Sequence, residues 1–170
     1  MIPKPEKNEY DPFYQGYIDL VIDKDIVAFL KDQKKELEEF FTSLSEEKQN
    51  YAYTEGKWSI KQVLRHMIDT ERVFAFRAMC LARGEKQNLP GFEQDDFIES
   101  ADDSENQFEF LIGEFISLRN SNILMIQNLP ASSYSNLGSM SGNPASTRAA
   151  IFILAGHAAH HLNVLKERYF

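Results

Sequence analysis

Histidines are the residues of this chain whose number and spacing best suit a chemical role. Of four histidines in 170 residues, three lie close together near the C-terminus: His157, His160 and His161. In a helix, His157 and His161 differ in direction by about 40°, so their rings project from one face. His160 is turned roughly 60° away from His157, which makes it the poorer partner for a shared ion.

The fourth histidine, His66, lies among Val63, Met67 and Val73 in an earlier apolar stretch, and we expect it to point inward. Two imidazoles at i and i+4, with a third from a facing helix, form a tripod that can bind a divalent metal ion. Three protein ligands leave positions open for water or substrate, which is typical of catalytic sites. The alternative is that the histidines pack in the core without a metal.

Several residues near His66 each have two interpretations. Asp69 and Thr70 follow it by three and four residues, so either could orient a ligand or a metal-bound water, or belong to the helix surface and its packing. Trp58 could be a core anchor or a pocket wall. Arg77 could pair with an anionic substrate or with Glu residues. No catalytic residue is assigned, because the chain has no H-E-x-x-H pattern and no supported Ser-His-Asp arrangement.

Four segments with apolar residues at helical spacing predict the helices that position these side chains. Ser59 and Gln62 predict a capping box at the start of the second helix, and Gly84 a left-handed residue after its end. Ser104 and Gln107 repeat the capping-box spacing before the third helix. The predicted helices run from Asp25 to Leu44, from Ser59 to Arg83, from Ser104 to Leu129, and from just after Asn143-Pro144 to the C-terminus.

These helices predict an all-α fold, a four-helix bundle, because no strand alternation is sustained and no glycine-rich phosphate loop is present. Residues 1–170 are expected to form a single domain, with residues 1–23 as an N-terminal extension that packs on the bundle. The connections 84–103 and 130–143 are long. Connections of this length form functional walls in some proteins and plain crossovers in others.

Charge and composition exclude several classes of partner. The net charge is -8, which opposes binding to nucleic acid, since such binding relies on Lys and Arg to neutralise phosphates. The longest apolar run, at 149–155, is too short to span a membrane. The single cysteine, Cys80, cannot form an internal disulfide, and the first residues lack the apolar core of a secretory signal. We therefore expect a cytoplasmic protein with no nucleic acid or membrane partner.

Two stretches of the chain together resemble one known family. They are GKWSIKQVLRHMIDTERVFAFRAMCLARGEKQNLPGF (56–92) and AGHAAHHLNVLKERY (155–169), the second with a GH-x-x-HH signature. Both are similar to segments of the DinB-like (DinB/YfiT) superfamily of metal-binding four-helix-bundle proteins. The resemblance implies helix directions of up, down, down and up. It also implies a divalent metal ion held by His66, His157 and His161 with water at the other positions, and His160 as a neighbour that is not a ligand.

The family that this chain resembles includes several activities. Some relatives are thiol transferases that use bacillithiol or mycothiol, one branch isomerises maleylpyruvate with mycothiol, and others are described as metal-dependent hydrolases. We therefore expect a divalent-metal-dependent enzyme that activates a low-molecular-weight thiol, as an S-transferase does, for reaction with a small-molecule substrate. The alternatives are a hydrolase that uses metal-bound water and a non-catalytic metal- or ligand-binding stress protein. Zn or Ni is the expected transition metal, Fe or Mn are alternatives, and the family implies a homodimer.

Overall fold

Four long helices form the centre of the computed structural model, which describes residues 1–101 and 107–170. They confirm the predicted four-helix bundle, and shorter elements connect them. In chain order the elements are α1 (Gln15–Asp19), α2 (Ile26–Thr42), α3 (Glu46–Gln49), α4 (Ile60–Ala82), β1 (Asn88–Leu89), α5 (Gln94–Ala101), α6 (Phe108–Gln127), β2 (Leu137–Met140), β3 (Asn143–Ser146) and α7 (Thr147–Arg168), with short 3-10 helices at Lys7–Glu9, Pro12–Tyr14 and Ala131–Ser133.

Contacts between the long helices fix their directions. Arg65 of α4 contacts Glu114 of α6 and, further along both helices, Glu71 contacts Asn122, so α4 and α6 are parallel. Helices α4 and α7 are antiparallel, because Trp58 contacts Tyr169 and His66 contacts His157. Helices α2 and α6 are also antiparallel, because Gln33 contacts Arg119 and Phe41 contacts Phe108. The directions of α2, α4, α6 and α7 are therefore up, down, down and up, as the resemblance implies.

A polar layer crosses the middle of the bundle. On each long helix, the buried apolar residues before and after this level belong to two different clusters. The layer contains at least one residue from every long helix, namely Gln33, Glu71, Arg119, Asn122 and His157, and all five are buried. The histidines therefore lie near the boundary between two apolar cores, where the bundle already contains hydrogen-bonding groups.

The start and end of α4 agree with the sequence prediction. The Ser59 hydroxyl accepts a hydrogen bond from the Gln62 backbone N–H, and the Gln62 side chain accepts one from the Ser59 N–H, which is a capping box. Gly84 follows the helix with a φ of +83°, in the left-handed region that glycine adopts readily. The helix that carries His66 is thus fixed at both ends by local sequence.

The start of the last helix differs from the prediction. Asn143 and Pro144 belong to β3, and α7 begins at Thr147 with Ser146 as its N-cap. Three short strands form a sheet in the order β1-β2-β3, with β1 parallel and β3 antiparallel to β2. Pro144 is tolerated because β3 is an edge strand, where a missing N–H need not break the ladder. Strands of two to four residues are too short to show the alternation that the sequence analysis required.

The start of the third long helix also differs. The helix begins at Phe108, so Gln107 is its N-cap and not the fourth residue of a capping box. Gln107 makes no side-chain cap hydrogen bond. Ser104, the other half of the predicted box, lies outside the described residues. The connection 84–103 was expected to be a loop, and its described part contains β1 and α5.

The N-terminal residues contribute to the core of the described chain. Ile2, Tyr10 and Ile18 are buried in the same apolar cluster as the first half of α7. The Glu9 carboxylate accepts hydrogen bonds from Ser146 and Arg148 at the start of that helix. None of the helices formed by residues 1–101 and 107–170 is long and apolar enough to cross a membrane.

Candidate metal centre

The structure brings three of the four histidines together. The Nε2 atom of His157 lies 2.9 Å from Nε2 of His66 and 3.1 Å from Nε2 of His161. His157 and His161 project from one face of α7, as their spacing predicts, and His66 reaches them from the antiparallel α4. His160 is half-buried and its ring contacts that of His161 at 5.2 Å between centroids, but it is not part of the convergent set.

Burial keeps the three rings neutral. It lowers the pKa of His66 to about 4 and the pKa of His161 to about 3, from an ordinary value of 6.5. Burial also lowers the pKa of His157 well below that value, and the neighbouring histidines lower it further, since a second charged ring would repel the first. A neutral imidazole has a lone pair on one ring nitrogen, which is the form that binds a metal ion.

The arrangement fits a divalent transition metal. Zinc–imidazole bonds of about 2.0–2.1 Å in a tetrahedral site would place the ligand nitrogens roughly 3.3 Å apart, close to the Nε2–Nε2 distances of 2.9 and 3.1 Å. Ligand atoms of His66, His157 and His161 all lie within 4.8 Å of one another. Three imidazoles suit Zn, Ni, Cu and Fe, so the donor set by itself does not select the metal.

Two cavities meet at the histidines. We call the first, of about 270 Å³, the aromatic cavity; it contacts His66 and His157 and is lined further by Phe13, Tyr14, Tyr17, Thr70, Phe74, Phe92, Glu93, Gln94 and Asp95. The second cavity, of about 360 Å³, contacts His161 and is lined further by Tyr53, Gly56, Lys57, Trp58, Val63, Gln94, Asp95, Val164 and Tyr169. Gln94 and Asp95, at the start of α5, line both. The histidines are thus bordered by two cavities with a shared wall.

A glycine allows one wall of the aromatic cavity to form. A Cβ atom on Gly156 would lie 2.0 Å from the carbonyl oxygen of Tyr17, so only glycine lets α1 pack this closely against α7. The Tyr17 ring then meets the ring of His157 at 5.5 Å and that of His160 at 5.2 Å between centroids. The sequence analysis did not identify Tyr17, and a glycine directly before His157 was the available signal.

The structure shows the surroundings of each residue that had two interpretations. Trp58 is a pocket wall, and its ring lies 4.9 Å from that of His66. Thr70 is buried and lines the aromatic cavity, and its hydroxyl has no hydrogen-bond partner in the part of the chain that the structure describes. Asp69 contacts Arg72 at 3.9 Å and lines neither cavity. Arg77 is buried and donates hydrogen bonds to the Pro90 carbonyl and to Ser141, so it pairs with no Glu residue among those described.

Comparisons with known proteins agree with this architecture. The family model of the DinB superfamily matches residues 30–165, which include all three convergent histidines. This chain belongs to the DinB superfamily. No curated protein matches it. Among solved structures, YfiT from Bacillus subtilis, "a probable metal-dependent hydrolase with an unusual four-helix bundle topology", matches with a TM-score of 0.72 at 14% identity, over 96% of this chain and 90% of YfiT.

The DinB superfamily match confirms the family that the two sequence stretches indicated, and the likeness to YfiT confirms the bundle fold. At 14% identity the structural likeness shows the fold alone. The three-histidine cluster is observed in this DinB protein itself. The role of these histidines as metal ligands stays a prediction, as does the homodimer.

Proposed function

We propose that this DinB protein is a divalent-metal-dependent enzyme that joins a low-molecular-weight thiol to an electrophilic small molecule. The observation that carries the proposal is the convergence of three neutral imidazole nitrogens where two cavities meet. A divalent ion held there, Zn or Ni in our proposal, would act as a Lewis acid that lowers the pKa of a thiol or water bound to it.

The protein's own residues would hold and select the reactants. Because His66, His157 and His161 are neutral, they leave the charge of a bound ion uncompensated, which favours an anionic ligand such as a thiolate. Trp58 and Tyr17 pack against the histidine rings from different cavities and limit the access of water. The thiol loses its proton to solvent, its sulfur bonds to the electrophilic carbon, and the leaving group departs with the electron pair of the broken bond.

Hydrolysis is the second candidate, and the likeness to YfiT favours it. The same three histidines would then hold the ion, and water would take the place of the thiol. The two candidates differ in a measurable way, because a hydrolase consumes its substrate at the same rate with and without added thiol.

The first experiment is elemental analysis of protein purified without a His-tag. We expect about one equivalent of a transition metal per chain, lost in the His157→Ala/His161→Ala variant because one imidazole remains. His160→Ala is the matched control, since it removes a neighbouring histidine from the same helix outside the convergent set, and it should keep the metal. No metal in the unmodified protein after incubation with Zn or Ni would contradict the proposal.

The second experiment measures consumption of monobromobimane with and without a low-molecular-weight thiol, after subtraction of the uncatalysed reaction. It uses a Cys80→Ala background, because Cys80 is the chain's one thiol and would itself react. We expect thiol-dependent consumption that the His157→Ala/His161→Ala variant lacks and His160→Ala keeps. Equal rates with and without thiol would reject the transferase, and no turnover in metal-loaded protein would favour a non-catalytic binding protein.

A further inference from the structure

The aromatic cavity has walls that the metal chemistry does not require. Four aromatic rings of the cavity contact one another, those of Phe13, Tyr14, Tyr17 and Phe74. Phe13 with Tyr14 and Tyr14 with Phe74 meet edge to face, at 5.2 and 5.7 Å between ring centroids. Phe92 closes another side. Because the rings of these two pairs are nearly perpendicular, the cavity offers π-faces from more than one direction, and the Arg77 guanidinium already lies 4.9 Å from the centroid of Phe74. Phe13 is 74% exposed, so burial in the core does not explain an aromatic residue at this position.

The charged residues of this cavity are all acidic. Glu93 and Asp95 line it, and no Lys or Arg does so among residues 1–101 and 107–170. Both acidic residues are exposed, and in the described chain neither carboxylate has a hydrogen bond or an ion pair. Aromatic faces with nearby carboxylates attract organic cations, since the ring quadrupole and the negative charge both favour a weakly hydrated positive group. The net charge of -8 adds to this attraction.

One buried polar group of the wall has no partner within residues 1–101 and 107–170. Thr70 is 3% exposed, and its Oγ1 atom makes no hydrogen bond to any described residue. Leaving a hydroxyl buried and unpaired costs about 1–3 kcal/mol. Thr70 lies one helical turn after His66 and lines the same cavity as Glu93. Thr70 is therefore a buried hydroxyl in the wall of this cavity, without a partner among the described residues.

We infer that the aromatic cavity binds an organic cation, a protonated or quaternary amine attached to a flat apolar group, as the substrate of the proposed reaction. The rings enclose the ammonium and the apolar group, and Glu93 and Asp95 neutralise the positive charge. Because Glu93 and Asp95 line the same cavity as His66 and His157, they would reduce the repulsion between a cationic substrate and an ion at the histidines. The thiol would occupy the second cavity, beside His161.

The test uses benzyltrimethylammonium, which cannot ligate a metal, and benzylsulfonate, which presents the same ring with the opposite charge. Binding to the full chain is measured by calorimetry, without metal and after loading with Zn, and chemical-shift changes locate the site. We expect the ammonium to bind at least about tenfold more tightly than the sulfonate. The largest shifts should fall on Tyr17, Thr70 and Glu93. A sulfonate that binds as tightly, or shifts elsewhere, would overturn the inference.

A matched pair of variants separates the cavity from general electrostatics. Glu93→Gln/Asp95→Asn removes two charges that line the cavity, and we expect about fivefold weaker binding of the ammonium. Asp96→Asn/Glu99→Gln removes two charges from α5, which begins directly after Glu93, at positions that do not line the cavity. This second pair should leave the affinity within about twofold. Equal weakening by both pairs would contradict the inference.

That the bound cation is a substrate rests on the proposed function. Cation binding and enzyme activity can nevertheless fail separately. If the ammonium fails to bind while metal-loaded protein catalyses thiol-dependent turnover of monobromobimane, only the substrate class is wrong. If the ammonium binds in this cavity while the chain binds no metal, the cavity is a binding site and the enzyme proposal is wrong.

Discussion

Neutral histidines in direct contact are the distinguishing feature of this protein at the scale of single residues. Three imidazole nitrogens within hydrogen-bonding distance cannot all be protonated, because charged rings at about 3 Å repel strongly in a buried site. Burial lowers the pKa of His66 to about 4, and burial together with the neighbouring His66 and His160 rings lowers the pKa of His161 to about 3. Protons therefore compete little with a metal ion at neutral pH.

The same pKa values predict how the stability of metal-free protein depends on pH. In the unfolded chain His66 and His161 regain the ordinary pKa of 6.5, so below that pH the unfolded state binds more protons than the folded state. Stability should be constant above about pH 7 and fall as the pH decreases from 6.5 towards 4. Each unit of pKa difference corresponds to about 1.4 kcal/mol.

Urea unfolding of chelator-treated protein at several pH values measures this dependence. The variant His66→Gln should show a smaller loss between pH 7 and pH 5, because one of the titrating groups is gone. A stability that stays flat over this interval in the unmodified protein would contradict the pKa shifts.

At the scale of elements, the contact between α1 and α7 decides the shape of the aromatic cavity. The backbone of Tyr17 lies against Gly156, so the two helices touch where most helix pairs are separated by side chains. The same α7 carries His157 one residue later. The position of Tyr17 beside the histidines thus depends on a single missing Cβ atom.

Replacing Gly156 by Ala should therefore be strongly unfavourable. The new Cβ would lie 2.0 Å from the Tyr17 carbonyl oxygen, and backbone must move to relieve the overlap. We expect a loss of about 1–3 kcal/mol or more in urea unfolding, together with altered NMR shifts of His157. Gly113→Ala in α6 is the matched control, since nothing lies within 4 Å of its Cβ position. It should stabilise the protein by about 0.5–1 kcal/mol, and a similar loss in both variants would contradict this reading.

At the scale of the whole molecule, the polar layer connects all four long helices. Arg119 donates two hydrogen bonds to the Glu71 carboxylate, at 2.8 and 2.9 Å, and a third to Gln33. Gln33 in turn donates to the carbonyl of Ala155, two residues before His157. Since Arg119 and Glu71 are both almost fully buried, each depends on the other for its charge to be tolerated.

Breaking this ion pair should destabilise the protein far more than breaking one at the surface. Arg119→Met leaves the Glu71 carboxylate buried and unpaired, and we expect a loss of about 3–5 kcal/mol in urea unfolding. Arg72→Met removes a partly exposed partner of Glu114 and should cost less than about 1 kcal/mol. The double variant Arg119→Met/Glu71→Leu should recover much of the loss. A double variant as unstable as Arg119→Met would show that the charge is not the cause.

Much of this protein could be predicted from local sequence. Periodicity indicated the four long helices, the Ser59 and Gln62 pair located the start of α4, and the spacing of His157 and His161 placed both rings on one face. These features depend on residues within one or two helical turns of each other, so they are determined before the helices pack. The short strands were missed because two to four residues are too few to show alternation, and because β1 pairs with β2 from a distant part of the chain.

Only the tertiary structure decided what surrounds the histidines. Tyr17, Glu93 and Asp95 come from segments far apart in sequence, and they share the aromatic cavity because α1 and α5 pack beside α7 and α4. Thr70 is an ordinary helix residue in the sequence, and its hydroxyl becomes buried, with no partner in the described parts of the chain, only when the bundle closes over it. Burial, which sets the charge of the histidines, is likewise a property of the packed chain, since hydration is lost only where other elements cover the rings.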